Sequence, residues 1–274
     1  MRKLPNRKIV FIHIPKTAGT SLTEYLGTAL RNTRAKPPGE GSEIELLCGH
    51  YYLSEVWHES DQRYFITFLR DPISRMVSQY RSFHNHQNYH PNWASQLSAE
   101  QVAALEFCRT ASFDEVLFSS APSVIGKFFN VQARMLSDYR LGIRELLASD
   151  ALQGRVLRSA MINLIKKIDF FGIFEMMSTS LILLKEETGI SGDLHHRNLS
   201  ENYEAKITPR EIAKLHELLA LDLQLYEFGL QLFKSRVAAR GLMFDPDTTM
   251  LQQGEGNKEQ LCLNQARPTH ADPQ

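Results

Sequence analysis

The sequence predicts an α/β fold, a parallel sheet flanked by helices with helical insertions, and three observations predict it. An apolar run at residues 8–14 (KIVFIHI) stops abruptly at Pro15-Lys16-Thr17-Ala18-Gly19-Thr20-Ser21 and gives way to an amphipathic stretch. A second apolar run, residues 63–69, stops at Arg70-Asp71-Pro72 and is again followed by helical periodicity. Two more short apolar runs lie at residues 44–49 and 169–174. Strands alternating with helical patterns make βαβ units and hence a parallel sheet.

Taken in order, residues 8–14 read as a buried strand, because both faces are apolar apart from His13. Residues 19–30 read as a helix with Leu22, Tyr25, Leu26 and Leu30 on one stripe. Pro37-Pro38-Gly39-Glu40-Gly41 marks a loop, and residues 44–49 form a second strand that ends at Gly49-His50. Residues 63–69 are rich in aromatic and β-branched side chains and make the third strand. Asp71 is a good N-cap and Pro72 suits a first helical turn, so a helix runs to about Phe83 with Met76, Val77 and Tyr80 inward. Residues 84–93 (HNHQNYHPNW) are polar, aromatic and turn-rich, and read as a surface loop. Residues 98–167 are mostly helical, with breaks expected near Pro122, at 137–142 and near Gly154. Residues 169–174 give a fourth strand, and a helix follows over 175–188. A loop at 191–203 carries His195-His196-Arg197-Asn198, and Thr208-Pro209 caps a helical stretch continuing to about Arg240. Residues 1–250 are read as one domain and 251–274 as a disordered polar tail.

The 274 residues suit one large α/β domain, and 43% hydrophobic content supplies a core. Thirty-one basic residues balance thirty-one acidic ones, so no global field draws the chain to nucleic acid or an acidic membrane. Any anion must be held by local geometry. Cys48, Cys108 and Cys262 are widely spaced and lack ligand-like companions, which disfavours structural zinc and suits a cytoplasmic, reducing compartment. The first apolar run is too short for a signal-peptide core, and no run approaches the ~18 residues of a membrane span. A soluble protein is expected.

The first loop has the grammar of a P-loop-like anion site: strand, loop, then a helix whose N-terminus faces the loop. Unpaired N–H groups and the positive end of the helix dipole attract an anion. Lys16 adds a point charge, and Thr17, Thr20 and Ser21 add hydroxyls. The nucleoside-triphosphate pattern GxxxxGK[ST] is missing, and of the strand ends His50, Arg70 and Glu175 only the last is acidic, so no magnesium site is expected. Taken alone, the loop also fits a plain strand–helix turn. The second element sharpens it. Arg70 ends a strand, where ligands of open α/β sheets bind. Ser74, Arg75 and Ser78 follow on the next helix, with Ser78 two turns from Asp71 and on the same face. Arg70 and Ser78 together suit a second phosphate.

These two segments, residues 13–21 (HIPKTAGTS) and 69–80 (LRDPISRMVSQY), resemble the paired nucleotide-binding signatures of the sulfotransferases. More narrowly they resemble the carbohydrate family that includes the heparan sulfate 2-O- and 6-O-sulfotransferases. Weaker similarity continues through Asn130-Val131-Gln132-Ala133-Arg134, residues 169–175 and residues 223–228. The resemblance implies sulfuryl transfer from 3′-phosphoadenosine 5′-phosphosulfate (PAPS) to an acceptor hydroxyl, without a metal. Lys16 would stabilise charge on the leaving phosphate oxygen. The N–H groups of Ala18, Gly19, Thr20 and Ser21, with the Thr17, Thr20 and Ser21 hydroxyls, would hold the phosphosulfate, and Arg70 and Ser78 would grip the 3′-phosphate. Cys48-Gly49-His50 resembles the catalytic-histidine segment, which makes His50 the general base. A nucleotide kinase and a non-catalytic nucleotide-binding module are the alternatives.

Other candidates are less defined. His13 reads as a hydrogen-bonded core residue. His84, His86 and His90, with Tyr89 and Trp93, either line an acceptor cleft or belong to a solvated loop. His195, His196 and Arg197 sit in a loop able to approach the nucleotide or the acceptor, and Arg134 is a nucleotide contact or a surface charge. Animal relatives carry an N-terminal membrane anchor that this sequence does not display. A cytoplasmic enzyme acting on a glycan precursor, a lipid-linked sugar or a small alcohol is therefore expected.

Overall fold

The computed structural model describes residues 8–30, 46–58, 63–84, 97–190 and 207–242. Strands β1 (Ile9–Ile12), β2 (Leu46–Gly49), β3 (Tyr64–Leu69) and β4 (Phe170–Ile173) form one parallel sheet in the order β2-β1-β3-β4. Every residue of β1 and β4 is buried, as is all of β3 except Tyr64. Such continuous apolar runs suit only strands covered on both faces.

Helix α1 (Gly19–Leu30) follows β1, the short α2 (Leu53–Val56) follows β2, and α3 (Pro72–His84) follows β3. A helical insertion then supplies α4 (Ala99–Thr110), α5 (Phe113–Leu117), α6 (Pro122–Ile125), α7 (Val131–Leu136), α8 (Ile143–Leu147) and α9 (Asp150–Lys166). Beyond β4 come a single 3₁₀ turn, Phe174–Met176, and then α10 (Met177–Thr188), α11 (Pro209–Leu218) and α12 (Ala220–Ala238).

The strand order places the site. From β1 the chain steps outward to β2, and from β3 it steps the opposite way to β4, so the connections diverge between β1 and β3. Open α/β sheets bind ligands outside the carboxyl ends of the strands at such a switch point. Register sets those ends level: Ile12 pairs with both Gly49 and Thr67, and Thr67 Oγ1 donates to Ile12 O at 3.0 Å.

Two expectations are corrected. Gly154 does not break the insertion, because α9 runs straight through it. One interior glycine costs about 1 kcal/mol, which the buried Val156, Ala160 and Leu164 of the same helix outweigh. The stretch opened by Thr208 is two helices, because Leu219, fully buried, leaves helical geometry between them. On α3, Met76 and Tyr80 are buried as expected, while Val77 is half-buried. The loop at Pro37-Pro38, residues 44–45, residues 85–96 and 191–206, and the tail after Pro246 lie outside the described residues.

Candidate functional site

The turn after β1 is shaped for an anion. Thr17, fully buried, donates Oγ1–H to the Ile14 carbonyl at 2.9 Å and folds the chain back beneath the strand end. Lys16 (φ 70°) and Ala18 (φ 63°) both lie in the left-handed region, which costs a non-glycine residue about 1–3 kcal/mol. Alternating handedness turns successive N–H groups into one concave nest of positive partial charge. The α1 ladder closes only when Leu22 N–H donates to Ala18 O at 2.9 Å. Among the described residues, the N–H groups of residues 16–20 meet no acceptor.

Lys16 is half-buried, and its ammonium has no carboxylate or carbonyl partner among the described residues. Burial first, and the Arg70 guanidinium second, pull it below the ordinary lysine range. Arg70 in turn reaches across the switch point, and its Nη1 donates to Lys16 O at 2.8 Å. Its guanidinium carbon sits 4.1 Å from the centre of the Phe174 ring, and among the described residues its buried Nε meets no acceptor. Burial also lowers the Arg70 pKa, with Glu175 and Asp71 opposing that effect. Two desolvated cations and a row of unpaired donors form a site that a doubly anionic ligand complements. The donor set fits two separate anionic groups, one at the loop and one at Arg70.

The strand end carrying Arg70 is pinned from several sides. Gln132 Oε1 accepts Arg70 N–H at 3.0 Å, and Gln132 Nε2 donates to Arg70 O at 2.9 Å. Asp71 N–H donates to Glu175 Oε1 at 2.9 Å, and Tyr226 O–H donates to Glu175 Oε2 at 2.9 Å. Asp71 Oδ1 accepts Ser74 N–H at 2.8 Å and so caps α3. Burial pushes the Glu175 carboxyl above the usual range.

His50 is exposed at the end of β2, and its Nδ1 lies 2.7 Å from the His13 carbonyl. A carbonyl only accepts, so Nδ1 carries the proton and neutral His50 has its lone pair on Nε2. The His13 and His50 rings are 4.3 Å apart. His13 also stacks on Phe11, with centroids 5.8 Å apart and planes 11° from parallel. It rests directly on Gly19, where a Cβ would fall 1.7 Å from His13 Nε2. Burial, His50 and Lys16 together hold the His13 imidazole down to about 3. Thr23 Oγ1 donates to Gly19 O at 2.7 Å and lies 2.8 Å from Cys48 Sγ, tying β2 to the first turn of α1.

The structure thus brings Lys16, Arg70 and, through His13, His50 to one edge of the sheet. Gly19 is buried under His13, Thr20 is exposed, and Ala18 is half-buried. Ser21 and Ser78 are buried, the latter on α3. Thr17 is engaged inside the loop rather than presenting its hydroxyl proton outward. Arg75 donates to Phe128 O at 3.2 Å from full burial and serves the core. Arg134 is not a free surface charge in this structure. It clasps Gly126 O at 2.9 Å, Phe129 O at 3.2 Å and Tyr52 Oη at 3.3 Å. His84 is exposed and stacks on Tyr80. His86, His90, His195, His196, Tyr89, Trp93 and Arg197 lie outside the described residues. His13 corrects its reading as a core residue: it sits one position past β1, half-buried, as the spacer between loop and His50. Its place as the lone polar residue before the loop was the available signal. Gln132 and Glu175 were not singled out for positioning, since their partners lie 62 and 104 residues away.

The model of the sulfotransferase family matches residues 3–229. Heparan-sulfate 6-O-sulfotransferase 2 of Gallus gallus is 24% identical, over 83% of this chain and 67% of its own length. Heparan-sulfate 6-O-sulfotransferase 3-B of Danio rerio is 25% identical, over 83% and 64%. Heparan-sulfate 6-O-sulfotransferase 3 of Homo sapiens is 23% identical, over 83% and 58%. The chain therefore spans roughly three-fifths to two-thirds of the length of these relatives. With both signature loops inside a match that covers most of its length, the chain belongs to the sulfotransferase family.

Proposed function

We propose that this enzyme moves a sulfuryl group from PAPS to a hydroxyl of a carbohydrate acceptor. The observation that carries the reading is the Lys16–Arg70 pair, two desolvated cations at neighbouring strand ends with unpaired donors on both sides. Family membership favours this over the kinase alternative, and the names of the relatives favour a glycan acceptor.

When bound, the donor supplies an electrophilic sulfur on an anhydride whose leaving group is 3′-phosphoadenosine 5′-phosphate. The chain's residues do the rest. His50 Nε2 takes the acceptor's proton as the acceptor oxygen bonds to sulfur. The bond from sulfur to the bridging oxygen breaks, and the Lys16 ammonium stabilises the charge left on the 5′-phosphate. The N–H groups of residues 18–21, with Thr20 and Ser21, orient the 5′ end, while Arg70 and Ser78 hold the 3′-phosphate. His13 stays neutral at physiological pH, so it fixes His50 without adding a third cation beside Lys16. A reducing, cytoplasmic setting is part of the proposal, supported by the unpaired thiols Cys48 and Cys108.

The test is calorimetric titration with 3′-phosphoadenosine 5′-phosphate, with ATP and magnesium as control. Tight binding of the former, lost in Arg70→Ala and kept in a His50→Ala variant without transfer activity, is the expected result. Preference for Mg-ATP, or transfer that survives His50→Ala, would overturn it.

A further inference from the structure

We infer that Gln132 is a positioning residue for the 3′-phosphate site: its side-chain amide holds the Arg70 main chain, and a reciprocal pair of helix caps holds Gln132. The inference rests on the reading that Arg70 grips the 3′-phosphate.

The sheet alone does not fix Arg70. β3 pairs with β1 as far as Thr67 and with β4 as far as Leu69, and the ladder ends there. Arg70 is the next residue, and Gln132 supplies what a neighbouring strand would. Its Oε1 accepts the Arg70 N–H at 3.0 Å and its Nε2 donates to the Arg70 carbonyl at 2.9 Å. A primary amide presents a planar donor and acceptor side by side, matched to one residue of peptide backbone. Gln132 is completely buried, so water does not replace either bond.

The amide is itself held by two facing helix N-termini. Asp222, in the first turn of α12, accepts Gln132 N–H through Oδ2 at 3.1 Å and Ala133 N–H through Oδ1 at 2.8 Å, which caps α7. Asn130, preceding α7, accepts the N–H groups of Leu221 and Asp222 on its Oδ1, each at 3.0 Å, which caps α12. Each helix is therefore capped by the other's side chain. Asn130 does this from the left-handed region (φ 44°, ψ 47°), which Asn tolerates better than most residues. Neither helix turns about its axis without breaking caps at both ends. The α12–α7–Gln132–Arg70 path is a chain of hydrogen bonds that ends on the main-chain N–H and carbonyl of Arg70 itself.

The experiment compares 3′-phosphoadenosine 5′-phosphate with 5′-AMP by calorimetry on the full chain. Both ligands carry the 5′-phosphate, so the ratio of their affinities reads the 3′-phosphate alone, and a fraction of misfolded protein drops out of each dissociation constant. Gln132→Met keeps the side-chain volume and removes both bonds; Gln132→Ala is the second variant. The expected result is a fall of about tenfold or more in the preference for the 3′-phosphorylated ligand, the worth of one charge-assisted contact, with AMP affinity unchanged. Equal weakening of both ligands would mean that Gln132 only supports the fold, and the inference would be wrong. A wild-type ratio in both variants would also overturn it. Arg70→Ala is the control: if it leaves the preference intact, the reading of Arg70 falls and takes this inference with it. If only the Gln132 variants leave it intact, the inference alone falls.

Discussion

Gly19→Ala is the substitution whose effect the geometry sets most directly. A Cβ at Gly19 would stand 1.7 Å from His13 Nε2, 1.8 Å from Cδ2 and 2.2 Å from Cε1. Ordinary contact needs roughly twice those distances, so the imidazole must retreat by about 2 Å. It has little room: Phe11 stacks on one neighbour face and the His50 ring lies 4.3 Å away. Forcing an extra carbon into such packing costs about 1–3 kcal/mol. The helix-propensity gain of alanine hardly offsets this, because Gly19 is the first residue of α1. For a chain of this size the melting temperature should fall by about 2–4 °C per kcal/mol. The displaced imidazole also moves the carbonyl-anchored His50, so transfer should fall further than nucleotide affinity does. Thermal unfolding of Gly19→Ala, His13→Ala and the double variant forms a cycle that isolates the contact. The double variant should be more stable than the two single losses sum to, because the methyl then occupies space the ring has left. Full stability in Gly19→Ala, or strictly additive losses, would refute the argument that His13 is wedged against the loop.

Three further outcomes follow from the same loop. Lys16→Met should abolish nucleotide binding while raising the melting temperature of the ligand-free protein, since it removes a desolvated ammonium. A base whose folded pKa is lowered penalises the fold fully below that pKa, so the gain should shrink as pH rises towards the ordinary lysine value; a drop in melting temperature at pH 7 would contradict this. His13 is held at about 3 against an ordinary 6.5, so the wild type should lose stability progressively as pH falls through that window. Urea unfolding at several pH values should show a flatter profile for His13→Asn, and parallel profiles would count against it. Thr17→Val should cost about 1 kcal/mol in the ligand-free protein, the worth of its bond to Ile14 O; unchanged stability would mean that the hydroxyl serves only the ligand.

Much of this was legible in the chain. The four strands could be read because each is apolar on both faces, and Lys16, Arg70 and His50 because each stands where an apolar run ends. Local signals sufficed for these. The split at Leu219 was not readable, since both flanking segments favour helix and only burial of that leucine separates them. The straight course of α9 through Gly154 is hidden for the converse reason: packing along the helix overrides one weak residue. The support of the site was hidden altogether. Gln132, Asp222 and Glu175 act through main-chain atoms of residues dozens of positions away, and no periodicity records such a partner. Residue types at strand ends advertise which groups face a ligand, while the tertiary fold alone decides what holds them.

The same features that make the loop legible make it costly in the ligand-free chain. Lys16 and Ala18 take left-handed geometry, the Arg70 cation disfavours the charge on Lys16, and among the described residues a buried Arg70 Nε meets no acceptor. Each is a departure from local consistency of the kind expected at a functional site. On the proposed reading a bound anion would offset the electrostatic part of this cost, because it would pair the N–H groups and place opposite charge between the cations. Nucleotide should therefore stabilise the fold beyond what burial of its own surface suggests, by the ordinary linkage of ligand to the native state. The strain remains as the cost of a preformed cradle. A loop relaxed by substituting glycine at Lys16 or Ala18 would hold its donors in readiness less often, and would exchange affinity for stability rather than gain both.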